Sequence, residues 1–586
     1  MPTRWRPQRA NRLYDRGGAR SADEGRTLST PRVQAIVPPW GGFTPDLSPE
    51  LTDWRDSEVI ANLLTRQDVL VAPDGYAKVN SATLPLGDAS PPAAGADISP
   101  VVFVGQFTDS VGVKRQYAIS SNAVQSRLYF NSSGAWVEIP IRAATTFITG
   151  KTTGAGVAQN LTDAAYHPPS NSIFLCDGYN YVFNHPVGSA DFGFTAGMNL
   201  ISARSVCAAD GRVLLFHIGT PYGASTAQNR VQYTTIGGTP LLTGLGSGFI
   251  DLDEMEGPGL RIRKLGNVIA CYGDRTVAFL RRRTSASTPY TREYLDERRG
   301  LLGTFSSCGI AESAHFGIYN DGWYIVREDG VFQEVGRRIV GGRSYRKFTD
   351  MFYRILNTAR QERVYVECDI ARRLVTIVFP TTDSDHPSAR WLYDLDTDTV
   401  WPTEELEVPN CLGRMEDTAQ VVGWDDISTT WAATTGGWAD FDQQNGRLRV
   451  CAGTRSGLVW RYSPAITTYD GVLPTWRMRS FPNSLGFASG RKTWEKLYVG
   501  YERIEGTPTP ISVELHNHDG VISSDVFTPD LGIAGTRQLD YVNPGESGAS
   551  PGGHRLGYEL SGTHPAKLVM LEANYRLEGI QERRIP

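Results

Sequence analysis

The sequence predicts an all-β fold: a β-propeller-like body of about six or seven hairpin-rich units, then a β-sandwich-like domain. Three observations carry the prediction. The 61 glycines and 34 prolines are scattered between segments instead of forming a tract, as many short strands joined by many turns require. From Val101 to about Tyr462 one unit recurs: an apolar strand, a Gly-containing turn, and a second strand ending in an aromatic. Past Ser480 the alternating runs lengthen. At 586 residues the chain also exceeds what one hydrophobic core supports, and 40% hydrophobic with 21% charged residues suits a folded protein.

Residues 1–35 are rich in Arg, Gly and Ser, with Arg4, Arg6, Arg9 and Arg12 at the start. Too few apolar residues are present for a core, so an extended arm is expected, either a mobile tail or a clamp on an acidic neighbouring surface. No apolar stretch follows these arginines, which does not fit a signal peptide, and no window approaches the roughly 20 apolar residues of a membrane span. Helix signals are scarce; the best segments are Ser48 to Leu64 and Tyr345 to Thr358. Val69-Leu70-Val71 and Tyr76 to Val79 flank Pro73-Asp74-Gly75, which predicts a hairpin.

The propeller-like body is expected over residues 36–475. Its first unit reads as four strands: Val101 to Val104, Arg115 to Ile119, Arg127 to Phe130 and Trp136 to Ile139. Ile173 to Cys176, Val213 to Phe216, Val268 to Cys271 and Val277 to Leu280 continue the theme. In Gly317 to Phe332 strict alternation and the Asp321-Gly322 and Asp329-Gly330 turns make consecutive hairpins. Val364 to Val366, Leu374 to Phe379, Trp391 to Leu395, Leu448 to Cys451 and Leu458 to Tyr462 supply further units. The stretch 219–259 reads as an insertion. Separate β-sandwiches are the alternative arrangement. Residues 480–586, with runs at Trp494 to Tyr501, Ile511 to Leu515, Arg555 to Leu560 and Leu568 to Leu571, read as the β-sandwich-like domain.

Chemical motifs are few. Seven cysteines never approach the spacing of a zinc knuckle or redox pair, and Cys176, Cys207, Cys271, Cys368 and Cys451 lie in or beside apolar runs, as small buried thiols do. Ser132-Ser133-Gly134-Ala135-Trp136 and Thr454 to Trp460 keep the Gly and Trp of a sialidase-type Asp box but lack its Asp. His516 and His518 alternate on one strand beside Asp519, two imidazoles without a clear third ligand. No phosphate loop, nucleophile elbow or HExxH helix is present, so neither an enzyme nor a cofactor is expected. The acidic run Asp251, Asp253, Glu254 and Glu256 is a candidate channel loop. Arg281, Arg282, Arg283, Arg298 and Arg299 form the densest basic patch, suited to carboxylate pairing at an interface or to DNA phosphates. A net charge of −5 gives no global basic field for wrapping nucleic acid.

Three segments are similar to the tail nozzle, or hub, proteins of short-tailed bacteriophages. They are Cys308-Gly309 through Phe332; Thr430-Trp431 with Gly436 to Asp440 and Gly453 to Trp460; and the closing domain ending Tyr575-Arg576 and Arg583-Arg584. The resemblance implies a structural virion protein, assembled in the host cytoplasm and placed in the virion tail. It further implies a homo-oligomeric, hexameric ring that contacts adaptor or portal-proximal tail proteins and tail fibres or spikes, and holds in and conducts genomic double-stranded DNA. A receptor-binding or polysaccharide-cleaving tail protein on a propeller scaffold is the alternative.

Overall fold

The computed structural model describes residues 32–36, 42–47, 56–66, 69–79, 84, 100–121, 126–132, 135–140, 161–193, 198–223, 225–283, 289–295, 298–340, 342–416, 448–464, 466, 468–480, 491–502, 510–517, 520–527, 537–542, 552–553, 556–563 and 567–578. Arg4, Arg6, Arg9, Arg12, the tryptophan pair near residues 431–438, His518 and Asp519 lie outside them.

Among these residues, seven antiparallel sheets follow one another as propeller blades. Blade 1 comprises Val101–Thr108, Lys114–Ser121, Ser126–Ser132 and Ala135–Ile139; blade 2, Asp163–His167, Ser172–Cys176 and Phe183–Pro186. Blade 3 comprises Ser202–Ala209, Arg212–Gly219, Ser225–Tyr233 and Gly248–Asp251; blade 4, Gly259–Leu265, Val268–Gly273, Val277–Arg282 and Tyr290–Tyr294. Blade 5 comprises Ser307–Ala311, Ala314–Ile318, Trp323–Arg327 and Phe332–Glu334; blade 6, Tyr365–Asp369, Leu374–Phe379, Ala389–Asp394 and Thr399–Thr403. Blade 7 takes Cys411–Glu416, Leu448–Gly453 and Val459–Ser463, and its fourth strand, Gly75–Lys78, comes from far upstream.

The local chemistry explains the hairpins. Asp210 and Gly211, both at positive φ, join Ala209 to Arg212 as the two-residue turn whose twist matches the strands it connects. Second strands such as Arg212–Gly219 and Leu374–Phe379 are almost wholly buried, which is why their sequences are continuous apolar runs. Neighbouring blades then bury these faces against each other. Ile119 and Leu128 of blade 1 meet Ile173 and Leu175 of blade 2, Phe216 and Val231 of blade 3 meet Ile262 and Leu280 of blade 4, and Tyr272 and Phe279 of blade 4 meet Tyr319 and Val326 of blade 5.

The ring closes at blade 7. Tyr76, on the upstream strand, stacks on Trp460 at 4.0 Å and on Tyr469 at 5.1 Å. Gly413 sits so close to blade 1 that a Cβ would lie 1.8 Å from the Val104 carbonyl oxygen, a backbone approach only glycine permits. Closing the ring leaves each blade with covered faces and few open edges.

The sandwich draws on both parts of the chain. One sheet joins Arg32–Ile36, Leu64–Arg66 and Val69–Val71 to Arg491–Glu502, Arg537–Val542, Gly552–Gly553 and Lys567–Glu578. The other joins Gly42–Phe43 and Asp56–Ala61 to Thr475–Ser480, Ile511–Asn517, Gly520–Phe527 and Leu556–Thr563. Leu497, Val513, Tyr558 and Leu568 share a continuous core with Phe316 of blade 5 and Trp391 of blade 6, so the sandwich is seated on those two blades.

Four expectations change. The described strands between residues 32 and 71 pair within the sandwich, so the arm and the propeller body do not begin where composition alone placed them. Val69–Val71 and Gly75–Lys78 do not form a hairpin: the first pairs with Leu64–Arg66, the second with Val459–Ser463, and residues 72–74 are the crossing from sandwich to propeller. Within Ser48 to Leu64 the structure has a strand, Asp56–Ala61, held in register by Thr475–Ser480. Residues 219–259 are no insertion; they hold the two outer strands of blade 3, polar because they face outward, and the connection to blade 4. The second helix expectation holds as Thr349–Ile355, between blades 5 and 6. No described helix is long and apolar enough to cross a membrane, and all seven cysteines are free and buried.

Candidate functional site: the propeller axis and its flanking charges

The inner strands of blades 2, 3, 4, 6 and 7 carry charged residues among their apolar ones, and these are what the ring brings together. Asp163, at the head of blade 2's inner strand, accepts from Ser205 Oγ (2.5 Å) and the Val206 amide (3.1 Å) of blade 3 and pairs with Arg263 of blade 4 at 3.0 Å. Arg414 of blade 7 pairs with Glu367 of blade 6 at 2.6 Å and donates to the Gly309 carbonyl of blade 5 at 2.7 Å. Contacts between blades two apart run across the axial side of the ring, so Arg263 and Arg414 project toward the axis, both still partly exposed.

Further bridges link blades at both ends of the inner strands. Arg204 Nε donates to Thr304 Oγ1 at 2.8 Å. Arg261 donates to the Ser307 carbonyl and lies 5.4 Å over the Phe305 ring. Arg449 pairs with Asp369 at 3.0 Å, and Lys114 of blade 1 with Glu416 of blade 7. Arginine suits this task because its planar fork binds a carboxylate and a carbonyl at once. Burial, with Arg263 beside it, pushes Arg261 down to about 10, which leaves it charged at neutral pH.

His315 links blades 4 and 5 beside these arginines. Its Nδ1 is 2.8 Å from the Tyr272 hydroxyl and its Nε2 is 3.1 Å from the Lys264 carbonyl oxygen. A carbonyl only accepts, so Nε2 carries the proton and Nδ1 accepts from Tyr272. Burial, reinforced by Arg263, Arg261 and Arg414, lowers its pKa to about 3. The unfolded chain, with a histidine pKa of about 6.5, therefore binds this proton more readily than the folded one. The stability His315 contributes is complete above about pH 6.5 and is lost as pH falls toward 3. The unfolding midpoint should fall across that window, and His315→Gln should flatten part of the slope. An unchanged slope in the variant would remove His315 as its source.

The charged residues singled out in the sequence fall into two separate groups. Strand direction repeats from blade to blade, so connections from one blade to the next emerge on one face, with each turn between second and third strands. The acidic run lies on that face. Arg230 makes a bidentate pair with Asp251 (2.7 and 2.9 Å), Arg292 reaches Asp253 (2.8 Å), and Arg298 approaches Glu256 (3.7 Å). Glu254 is exposed. Arg299 pairs with Asp321 at 3.3 Å and lies 4.3 Å over the Tyr324 ring. Arg281, Arg282 and Arg283 sit at the opposite end of blade 4's third strand; Arg281 pairs with Glu293 and Arg282 approaches Asp210 at 3.9 Å, while Arg283 is exposed. The basic patch of the sequence is thus not one surface, and most of it is engaged within the chain.

The axial residues Asp163, Arg263, Glu367 and Arg414 were not singled out in the sequence. Their signal was present as a charge in the first strand of a unit, in Leu260-Arg261-Ile262-Arg263, Val366-Glu367-Cys368 and Gly413-Arg414-Met415. An ion in such a strand needs a partner from another blade.

No family model and no curated protein matches this chain. Among solved structures it is similar to YCF48 from Cyanidioschyzon merolae, with 9% identity over 67% of this chain and 99% of that one and a TM-score of 0.35. It is similar to the extracellular domain of the putative one component system BT4673 from B. thetaiotaomicron (9% identity, 84% of this chain and 61% of that one, TM-score 0.38). PorZ of Porphyromonas gingivalis is a third such structure (9% identity, 83% of this chain and 60% of that one, TM-score 0.39). The chain spans about three fifths of the length of the last two. These likenesses carry no functional argument, and the propeller is read from its own sheets.

Proposed function

We propose that this chain is a structural virion protein, one subunit of the nozzle or hub ring in the tail of a short-tailed bacteriophage. Six copies would enclose the path along which double-stranded DNA is held and later ejected. One observation supports a structural reading most directly: arginines and carboxylates of the inner strands are engaged with one another across blades, which ties the propeller into a stiff block. In such a block the DNA path runs between copies, and the propeller axis serves rigidity. The engagement of Arg230, Arg281, Arg292 and Arg299 within the chain also fits a wall past which DNA slides, since each phosphate neutralised by a free cation adds binding free energy through counterion release.

The test is particle averaging of assembled tails together with DNA binding by the free chain. A closed ring of six copies around an open channel is expected, with weak binding of duplex DNA at physiological salt. A single copy in the assembled tail, tight and strongly salt-dependent DNA binding, or turnover of a host polysaccharide by the purified chain would each overturn the proposal.

A further inference from the structure

On the outer face of the sandwich, strand Ile511–Asn517 pairs with Leu556–Thr563 so that Glu514 lies directly opposite Glu559. Ile511, Val513 and Leu515 on the first strand, and Leu556, Tyr558 and Leu560 on the second, point into the core, which puts both glutamates and His516 on the other face. Two carboxylates directly opposite each other repel, and a sheet does not adopt that pairing without compensation. Arg479 stands opposite Glu559 in the next strand, and its guanidinium is 3.7 Å from Glu58 on its other side.

His516 completes the cluster. It is only 4% exposed, and neither ring nitrogen has a hydrogen-bond partner among the described residues. Its Nε2 lies 3.7 Å from Glu514 Oε2 and 3.8 Å from Glu559 Oε2. These separations are too long for hydrogen bonds. They are close to the spacing of two ligands on one tetrahedral ion, about 3.4 Å for metal–ligand bonds of about 2.1 Å. The ligand atoms of the three residues all lie within 4.8 Å of one another. Gly557, opposite His516, carries no side chain to crowd the ring. A buried imidazole with no partner, aimed at two facing carboxylates, is costly as an empty site and well arranged as an occupied one.

We propose that Glu514, His516 and Glu559 bind a divalent first-row transition ion, zinc by preference. One imidazole and two carboxylates are borderline-hard donors that suit zinc or manganese better than calcium, which takes oxygen ligands alone. Three protein ligands leave a fourth position, and the partial exposure of Glu514 (40%) and Glu559 (25%) leaves it open to solvent. The ion would clamp the two strands together at the face where their charges otherwise push apart.

The experiment uses the full chain, stripped with a chelator and titrated calorimetrically with zinc, then with cobalt as a spectroscopic probe. Binding of one equivalent, a raised unfolding midpoint and the absorbance of low-symmetry cobalt are expected. Glu559→Gln and His516→Asn should each weaken zinc binding by about 100-fold or more. Glu514→Gln guards against misfolding: it removes the like-charge pair, so its metal-free unfolding midpoint should equal or exceed that of the parent while zinc binding is lost. Zinc bound equally well by Glu514→Gln and Glu559→Gln, calcium bound as tightly as zinc, or no saturable binding to the parent chain would each overturn the assignment.

Discussion

Replacing Arg390 with alanine is expected to destabilise the propeller by about 3–5 kcal/mol. Arg390, in the third strand of blade 6, pairs with Glu405 in the connection to blade 7, and both side chains are almost fully buried. The Tyr462 hydroxyl of blade 7 donates to Glu405 Oε2 at 3.0 Å, and the Arg390 guanidinium lies 3.9 Å over the Tyr462 ring. Burial opposes charge on both groups and pushes the Glu405 pKa up; for Arg390 the adjacent carboxylate outweighs burial and keeps the guanidinium protonated. Deleting Arg390 leaves a carboxylate in the seam between two blades with neither water nor a counter-ion. The cost is that stranded charge and not the net worth of the pair, so a double variant, Arg390→Met with Glu405→Leu, should recover most of the loss. Denaturant titration of both variants checks the argument. A single variant within about 1 kcal/mol of the parent, or a double variant as weak as the single, would show that the pair is not the seam's critical element.

Trp323→Ala is expected to cost about 3–5 kcal/mol. Trp323 is fully buried and stands where blade 5, the helix Thr349–Ile355 and blade 6 converge. Its ring lies 5.9 Å from Phe316, 5.0 Å from Phe348, 5.3 Å from Phe352 and 5.8 Å from Tyr393, in the tilted and edge-on arrangements that aromatic quadrupoles favour. The indole N–H has no hydrogen-bond partner among the described residues, so the side chain acts through packing. Trp323→Phe, which keeps an aromatic in the cluster, should therefore cost less than half as much as alanine. The comparison of the two midpoints separates a cavity from a lost polar contact. Equal losses in the two variants would mean that the N–H is engaged after all.

The blades were legible in the sequence because a hairpin is a local object. In Gly317 to Phe332 the alternation and the two Asp-Gly turns lie within one short segment, and the strands Ala314–Ile318, Trp323–Arg327 and Phe332–Glu334 follow them. The buried thiols were legible for the same reason, since a cysteine inside an apolar run has nowhere to go but the core. The metal-like cluster was half legible: His516 stood out, but its companions are the glutamate two residues before it and one from a strand that arrives later in the chain.

Residue order alone specified an all-β chain of repeated hairpins and the longer alternating strands that follow Ser480. Long-range pairing was needed to assign Gly75–Lys78 to the closure of blade 7 and Val69–Val71, a few residues earlier, to the sandwich. It also decided that Asp56–Ala61 is a strand and that Asp163 meets Arg263 two blades away. Side-chain alternation is written in neighbouring residues, whereas the partner of an edge strand, or of a buried charge, is whichever complementary group the closed ring brings within reach.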